Sequence, residues 1–325
     1  MTTTIPLAGA PAPFTEIALP LPDERVGKVR ASYALPDERR LFVTTDRLSA
    51  FDRILGGAAY KGQVLNELSA FWFDRTADAV PNHVVSVPDP NVLIARAATP
   101  LPVEVIVRGY ITGVTSTSLW TRYASGARVI DGYTLPDGIR KNTALPAPII
   151  TPTTKGDPFA AGGHDEPLSC AEVVERGLVD PGVWQRTMDA ALELFRRGQQ
   201  IAGAAGLILA DTKYEFGLDV DGGLLLIDEV HTPDSSRLWV GASYEARLAA
   251  GEEPESLDKE VVRRALADAG YRGDGDPPHL DDDVWKRTSE RYIDAFERIT
   301  GSTFHPGSYP VAERITTALE EAGIL

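Results

Sequence analysis

The feature that most limits how this chain can fold is the segment 208–237. It combines two apolar runs with several acidic side chains. Leu207 to Leu209 forms one run, Leu224 to Ile227 forms the other, and Val220-Asp221-Gly222-Gly223 lies between them. Short apolar runs joined by a Gly-containing turn are typical of a β-hairpin. We therefore predict two buried strands connected by a tight turn.

Charged residues follow both apolar runs of this predicted hairpin. Asp211, Lys213 and Glu215 stand on alternate positions after the first run, and Asp228 and Glu229 directly follow the second. Alternate residues of a strand share one face, so these carboxylates can lie close together. Burying them is costly unless their charge is compensated, and Mg²⁺ carrying a phosphorylated ligand would compensate it. A local cluster of salt bridges explains the same residues equally well.

Composition narrows the classes of protein that this chain can belong to. Its 325 residues carry 32 Lys+Arg against 47 Asp+Glu, a net charge of −15, which argues against a general nucleic-acid binder. The single cysteine, Cys170, excludes an intrachain disulfide and is typical of a reducing compartment. No apolar run approaches the roughly 18 residues of a membrane span, and a signal peptide is not evident. We expect a cytoplasmic protein without nucleic-acid or membrane partners.

The order of strand and helix patterns predicts an α+β protein with two lobes. Residues 1–22 are rich in Pro and Ala and are expected to form an irregular arm, and strand patterns dominate residues 23–101. Helical patterns wrapped around further strands follow in residues 102–325. The cleft between the lobes is the expected ligand site. Residues 131–169 are proline-rich and poorly periodic, which predicts a long functional loop.

Two helix starts after this loop are marked by capping residues. Ser169 with Glu172 three positions later forms a capping-box pattern, which predicts a helix through Glu175. Asp180-Pro181 predicts the start of the next helix, because proline is favoured in the first turn.

Two other segments have the composition of anion-binding sites. Gly27 stands beside Lys28 and Arg30 on a predicted strand, so the backbone could approach a polyphosphate, although a charged edge strand is the simpler interpretation of this segment alone. Arg108 precedes a loop rich in hydroxyl groups at 113–118 and could hold an anion with two hydrogen bonds. A local ion pair explains Arg108 equally well.

The loop at 131–169 contains a tandem His164-Asp165-Glu166. Adjacent residues rarely point at one ion, and no second histidine follows at helical spacing, so a zinc site is not expected. A loop that presents polar groups to a ligand is the better interpretation.

The residues that could take part in binding or catalysis fall into seven segments, which follow one another along most of the chain. These are Gly27–Arg30, Thr45–Asp52, Pro102–Tyr110, Thr151–Lys155, Gly163–Glu166, Asp211–Gly217 and Asp228–Arg237. Together they closely resemble the phosphoribosylaminoimidazole-succinocarboxamide synthase (SAICAR synthetase) family, and the His-Asp-Glu loop and chain length are similar to its longer form. The His-Arg-Asp and Asp-Phe-Gly motifs of protein kinases do not occur, nor do the P-loop and dinucleotide fingerprints.

This resemblance implies a SAICAR-synthase-like fold, with an N-terminal antiparallel lobe similar to the ATP lobe of kinases. It implies a ligase of de novo purine biosynthesis that joins L-aspartate to the carboxylate of carboxyaminoimidazole ribotide (CAIR). ATP and Mg²⁺ are required, ADP and phosphate are released, and the intermediate is an acyl phosphate. Phosphoryl transfer depends on cations that neutralise developing charge rather than on a nucleophilic side chain.

The resemblance also implies roles for single residues, which we state as expectations. Those for ATP are Gly27, Lys28, Val29 and Arg30 over the phosphates, Ala98 to Leu101 beside adenine, and Glu104, Glu215 and Asp228 nearby. The expected metal ligands are Glu215, Asp228 and Asp211, with Glu229 as a further candidate. Arg108, Lys213 and Asp211 are assigned to catalysis. CAIR and aspartate would be held by Arg108, Ser116, Ser235, Ser236, Arg237, Lys155, His164, Asp165 and Glu166.

One loop departs from the expected family pattern. Thr-Gly-Ser is expected after Tyr110, and this chain has Thr112-Gly113-Val114-Thr115-Ser116. The hydroxyl that binds the ribotide phosphate is therefore Thr115, Ser116 or Ser118.

Two alternative functions are consistent with a nucleotide site. A small-molecule kinase of similar architecture would release ADP without aspartate and add phosphate to its product. A regulator that only binds nucleotide would have little need for the full set of Asp211, Lys213, Glu215 and Asp228. The oligomeric state, monomer or homodimer, is left open by the sequence.

Overall fold

The computed structural model describes residues 10–51, 53–115, 117–155, 165–271, 273 and 275–325. It contains helices and antiparallel sheets, which confirms the predicted α+β class. The strands are β1 Arg25–Val26, β2 Arg30–Leu35, β3 Arg39–Thr44, β4 Arg47–Ala50, β5 Arg53–Gly57, β6 Val84–Asp89, β7 Val92–Arg96, β8 Thr99–Pro100, β9 Val103–Tyr110, β10 Val129–Ile130, β11 Tyr133–Thr134, β12 Ala144–Thr154, β13 Leu207–Leu218, β14 Leu224–Ile227 and β15 Ser236–Val240. The helices are α1 Lys61–Thr76, α2 Leu119–Ala124, α3 Cys170–Glu175, α4 Pro181–Ala204, α5 Gly241–Ala250, α6 Glu260–Asp268, α7 Asp282–Thr300 and α8 Val311–Glu321.

The first sheet is antiparallel, with strand order β1-β2-β3-β7-β6. Its inward residues, including Tyr33 and Leu41, form one core with Ile315 of the C-terminal helix α8. Phe14 and Leu19 of the N-terminal arm are buried in the same core. Both ends of the described chain therefore pack on the first sheet, and the predicted lobe boundaries stay predictions.

The second sheet is organised around β13, which pairs with four strands. Its order is β12-β9-β13-β14, and β8 and β15 also pair with β13. The predicted hairpin is wrong in one respect, because β13 extends to Leu218 and β14 pairs only with Glu215–Leu218. The charged residues after the first apolar run are therefore inside a long strand, where flanking strands satisfy the backbone and the side chains alternate between faces.

The predicted loop at 131–169 is also wrong in part, because β12 occupies Ala144–Thr154 and pairs with β9. The strand contains Pro146, Pro148 and Pro152, and its pairing shifts register between Ala144 and Ile149. It lies at an edge of the sheet, where proline is tolerated because one side of the strand needs no ladder hydrogen bonds. The prolines that indicated a loop thus mark an edge strand.

The helices after β12 begin where the capping residues predicted. Ser169 and Glu172 make a reciprocal capping box at the start of α3, and Asp180 accepts hydrogen bonds from Gly182 and Val183 at the start of α4. Helix α4 covers the second sheet with a face that includes Trp184, Leu194 and Phe195.

Close packing of α4 on the sheet depends on Gly198. A Cβ at this position would lie 2.4 Å from His231 and 2.7 Å from Leu209.

Among the described residues, none of the helices has both the length and the apolar character that a membrane span requires.

Asp46, which follows β3, connects three separate parts of the fold. Its carboxylate is 1% exposed and accepts hydrogen bonds from the Phe14 amide at 2.8 Å, the Gly62 amide at 2.8 Å and the Tyr309 hydroxyl at 2.9 Å. The bond from Gly62 caps α1, whose own N-cap residue Tyr60 makes no side-chain cap. One buried carboxylate therefore joins the arm, helix α1 and the segment before α8.

We predict that Asp46→Ala lowers the free energy of unfolding by about 3–5 kcal/mol, because it leaves three buried donors without an acceptor. Tyr309→Phe removes only one donor to this carboxylate and should cost about 1–2 kcal/mol. Urea unfolding followed by circular dichroism measures both changes. Equal losses in the two variants would contradict the role of Asp46 as the shared acceptor.

Candidate active site

The densest group of charged side chains lies where β2 of the first sheet faces β13 and β14 of the second. The β13–β14 register pairs Glu215 with Ile227, so Glu215 lies beside Asp228, the residue after β14. Asp228 has a φ of 68°, in the left-handed region that Asp tolerates better than most residues. The chain turns there, which directs the Asp228 carboxylate across the cleft.

Arg30 spans the cleft from the first sheet. One Nη of its guanidinium contacts Asp228, and the other lies 3.0 Å from Glu229 Oε2. This pairing links the Gly27–Arg30 segment to the end of β14.

Lys213 lies on the same face of β13 as Glu215 and is surrounded by carboxylates. Its Nζ is 2.6 Å from Glu215 Oε1, 3.1 Å from Glu104 Oε1 and 3.7 Å from Asp228 Oδ2. Lys155, at the end of β12, contacts the other oxygen of Glu215. We call the group of Arg30, Glu104, Lys155, Lys213, Glu215, Asp228 and Glu229 the charged cluster.

The charges of this cluster are fixed by their neighbours. Burial opposes ionisation of Asp228, but Arg30 and Lys213 offset it and lower its pKa to about 2. Burial also opposes the charged form of Lys213, but the adjacent carboxylates raise its pKa well above the usual value. Burial raises the pKa of Glu229 and of Glu104. Near neutral pH, Asp228 is therefore a carboxylate and Lys213 an ammonium, suited to electrostatic stabilisation rather than proton transfer.

A second polar group, the guanidinium pair of Arg108 and Arg237, lies on the two strands that flank the first half of β13. Asp211 is opposite Arg108 in the β9 ladder and opposite Arg237 in the β15 ladder. Its Oδ2 lies 3.3 Å from Arg108 and also contacts Arg237, so two guanidiniums share one carboxylate. Arg108 Nε donates to Thr151 Oγ1 at 2.8 Å. Two neighbouring guanidiniums are suited to an anionic ligand.

Asp211 does not join the other predicted metal ligands. Glu215 lies four positions further along the strand, which corresponds to about 13 Å. The described residues contain no group of three or more His, Cys, Asp or Glu side chains arranged to hold a metal. Glu215 and Asp228 do lie together and retain the hard oxygen donors that Mg²⁺ prefers. The carboxylate pair, rather than the predicted trio, is the candidate metal site.

The serines beside Arg237 are already hydrogen bonded. Ser236 Oγ is 2.8 Å from Thr212 Oγ1, and Ser235 Oγ accepts from the Thr232 amide at 3.3 Å. In the loop after Tyr110, the Ser118 hydroxyl accepts from the Thr121 amide at the start of α2.

Of the remaining predicted ligand residues, two are described by the structure and two are not. Ser116 and His164 lie outside the described residues. Asp165 is close enough to Glu104 to raise its pKa, after the larger effect of burial. Glu166 pairs with Arg176 at 3.1 Å, away from the charged cluster.

The predicted adenine segment runs alongside β13. Strand β8 pairs with Gly217 and Leu218, and the Leu101 amide donates to Phe216 O at 2.8 Å. The Leu101 amide is thus engaged with the protein, and Ala98 lies against Gly217, where an added Cβ would be 3.1 Å away.

The sequence interpretation missed a buried ion pair between α1 and the segment before β15. Lys61, at the start of α1, is completely buried and lies 2.9 Å from Asp234 Oδ2. Tyr292 of α7 donates to the other oxygen of Asp234 at 2.5 Å. Asp234 directly precedes Ser235–Arg237, so this pair fixes the guanidinium side of the site to α1. A lysine at the start of a predicted helix indicates no partner by itself, so the sequence holds no signal that would have located this pair.

Comparisons with known proteins agree on one family. The family model described as SAICAR synthetase matches residues 24–278. A phosphoribosylaminoimidazole-succinocarboxamide synthase from Legionella pneumophila (strain Paris) is 48% identical over 308 residues, which cover 93% of this chain and 96% of the relative. The chloroplastic enzyme of the same name from Arabidopsis thaliana is 47% identical over 91% of this chain and 71% of its own length. The SAICAR synthase structure from Saccharomyces cerevisiae, complexed with SAICAR, has a TM-score of 0.77 and 35% identity and covers 90% of this chain and 100% of that chain.

We predict that Asp211→Asn makes the protein depend on an added anion, because it leaves Arg108 and Arg237 without their shared counter-charge. Breaking a buried ion pair costs about 3–5 kcal/mol, so the melting temperature should fall in chloride and recover in part in inorganic phosphate. Thermal denaturation at matched ionic strength measures both effects. An equal phosphate shift in the variant and the wild type would show that Asp211 is not the main counter-ion of the pair.

Proposed function

The chain belongs to the SAICAR synthetase family, and from this premise we propose how its own residues carry out the family's reaction. The protein is a ligase of purine biosynthesis that uses ATP to join L-aspartate to the carboxylate of CAIR, giving SAICAR, ADP and phosphate. One observation carries the proposal. A face of β13 has a carboxylate-rich cluster at one end and a guanidinium pair at the other, with Lys213 between them.

We assign the charged cluster to ATP. The exposed turn at Gly27–Lys28 and the side chain of Arg30 would meet the phosphates, and Ala98 to Leu101 would lie beside adenine. Glu215 and Asp228 fit a Mg²⁺ ion, because Mg²⁺ is typically held by one or two protein carboxylates together with substrate phosphates. When bound there, Mg²⁺ would neutralise charge on the transferred phosphoryl group.

The present contacts of these two carboxylates support this assignment. Both are compensated by cationic side chains, since Lys155 and Lys213 contact Glu215, and Asp228 contacts Arg30 and lies 3.7 Å from Lys213. A ligand that brings its own cation and phosphates can replace both partners of each ion pair, because its cation can bind the carboxylates and its phosphates can bind the cationic side chains. Lys213 would then be directed towards the phosphoryl oxygens.

We assign the guanidinium pair to CAIR, which carries a carboxylate and a phosphate. Arg108 would hold the carboxylate, because Thr151 fixes its guanidinium through Nε and Asp211 through one Nη, which positions the remaining donors for an anion. Arg237 would hold the ribotide phosphate, with Ser235, Ser236 and a hydroxyl of the 112–118 loop nearby. Asp211 would keep both guanidiniums in place.

The reaction then proceeds between the two groups. A carboxylate oxygen of CAIR attacks the γ-phosphorus of ATP, the bond to the β-phosphate oxygen breaks, and ADP leaves. The amine nitrogen of aspartate attacks the resulting acyl phosphate, inorganic phosphate departs with the bonding electron pair, and the nitrogen loses a proton. Lys213 lies midway between Asp211 and Glu215 on one strand face, where its fixed positive charge would stabilise the transferred group.

The third substrate, L-aspartate, needs a site beside the charged cluster. We propose Lys155 and the His164-Asp165-Glu166 segment, because Lys155 already reaches the cluster and Asp165 lies near Glu104. The predicted cytoplasmic location also stays a prediction, and the named plant relative is chloroplastic.

A direct assay separates this reaction from that of a kinase. With ATP, Mg²⁺, CAIR and L-aspartate, we predict ADP release that requires aspartate and gives a product with a new amide. Coupled ADP detection and mass spectrometry of the product measure both. ADP release without aspartate and a phosphorylated product would instead indicate a small-molecule kinase, and binding of ATP without turnover would indicate a regulator.

We predict that Asp228→Asn lowers kcat by at least about a hundredfold, because one of two carboxylates for the metal is lost, while the fold is retained. The matched control is Asp137→Asn, which also removes the carboxylate partner of an arginine but lies at the surface. Steady-state kinetics over a range of Mg²⁺ concentrations, with circular dichroism of both variants, make the comparison. Near-normal turnover in Asp228→Asn would remove this residue from the proposed metal site.

A further inference from the structure

Arg47, the first residue of β4, makes an unusual set of contacts for a buried arginine. The residue is 8% exposed, and its guanidinium donates to three backbone carbonyls. Nη2 lies 2.8 Å from Gly27 O, Nε lies 3.1 Å from Lys28 O, and Nη1 lies 2.7 Å from Thr15 O. Arg47 therefore holds both the turn between β1 and β2 and the N-terminal arm.

Thr45 continues this arrangement by one residue. Val29 O accepts from the Thr45 amide at 3.0 Å and from Thr45 Oγ1 at 2.6 Å. The carbonyls of Gly27, Lys28 and Val29 are thus all engaged by the segment that leads into β4. We call the segment Gly27–Val29 the phosphate turn.

Engagement of these carbonyls determines where the amides of the turn point. In a trans peptide the N–H of each residue is directed opposite to the C=O of the residue before it. Holding the carbonyls towards Arg47 and Thr45 therefore directs the following N–H groups to the other side of the turn. Successive N–H groups that face one side form a concavity that binds anions.

We propose that Arg47 is a positioning residue for the ATP phosphates. It holds the phosphate turn in its anion-binding conformation without touching the nucleotide, and through Thr15 it makes the N-terminal arm part of the ATP site. This inference rests on the proposed role of the turn in binding phosphates.

The geometry explains why this position requires arginine. Its guanidinium is planar and presents donors in several fixed directions, so one side chain satisfies acceptors on two separate chain segments. A lysine ammonium at the end of a flexible stem is a point charge and cannot reproduce this fork. Arg47→Lys should therefore release at least one carbonyl of the turn while keeping the positive charge.

The test compares Arg47→Lys with Arg40→Lys, which alters an arginine of β3 in the same sheet. Arg40 contacts Asp23 and Ser32 rather than the turn. Calorimetric titration with ADP and with adenosine separates phosphate binding from binding of the nucleoside. We expect Arg47→Lys to weaken ADP binding about tenfold and to leave adenosine binding unchanged, because only contacts to phosphate are lost. Arg40→Lys should change neither affinity.

Kinetics provide the second readout. In Arg47→Lys the KM for ATP should rise about tenfold, while the KM for CAIR stays at the wild-type value. Thr45→Val removes the hydroxyl contacts to Val29 O and to the Arg47 amide but keeps the Arg47 guanidinium. It should give a smaller loss with the same selectivity for ADP, which keeps the test valid if Arg47→Lys folds poorly.

Three results would overturn the inference. Equal losses of ADP and adenosine affinity would show that Arg47 supports the lobe in general, and unchanged ADP affinity in both variants would show that the turn does not need it. If the wild type itself bound ADP no better than adenosine, the proposed role of the phosphate turn would fail as well. In the first two cases the proposed function is untouched.

Discussion

The structure depends on compensation of charge along one face of β13. Asp211, Lys213 and Glu215 occupy alternate positions of a strand that is paired on both sides, so their side chains lie in a partly buried row. Each is matched by an opposite charge from another part of the chain: Asp211 by Arg237 of β15, Lys213 by Glu104 of β9, and Glu215 by Lys155, which follows β12. Because an uncompensated buried charge is costly, this row constrains how the strands of the second sheet can be placed.

The same requirement brings the first lobe to the cleft. Asp228 and Glu229 end the β14 side of the row, and the side chain of Arg30 reaches both from β2. Without this guanidinium the two adjacent carboxylates would repel each other across a short distance in a medium of low dielectric constant. Substrate binding can use this balance of positive and negative side chains. A ligand that carries both phosphate and metal brings charge of both signs, so the net charge of the site changes little.

The sequence predicted elements whose signals are local. The Ser169–Glu172 capping box and the Asp180-Pro181 start were both confirmed, because capping involves residues only three positions apart. Strand β12 was missed because its prolines are compatible with an edge strand only once the strand order is known. The partners of Asp211 and Glu215 were missed for a similar reason. The register of β13 against β9, β14 and β15 decides which residues lie opposite them, and residues far apart in the chain set that register.

The buried pair of Lys61 and Asp234 shows how the two ligand groups are kept at a fixed separation. A buried ion pair contributes little net stability, because desolvation of both charges offsets their attraction. Its geometric effect is larger, since Lys61 begins α1, whose apolar face lies in one core with the second sheet, and Asp234 precedes the Ser235–Arg237 segment. Tyr292 holds the second oxygen of Asp234, so the carboxylate cannot rotate freely. Arg30 thus ties β2 to the charged cluster, and the Lys61–Asp234 pair ties α1 to the segment beside the guanidinium pair. These ion pairs act together with the shared apolar core to hold the two ligand groups in place, and a transfer between two bound substrates requires their reacting atoms to stay aligned.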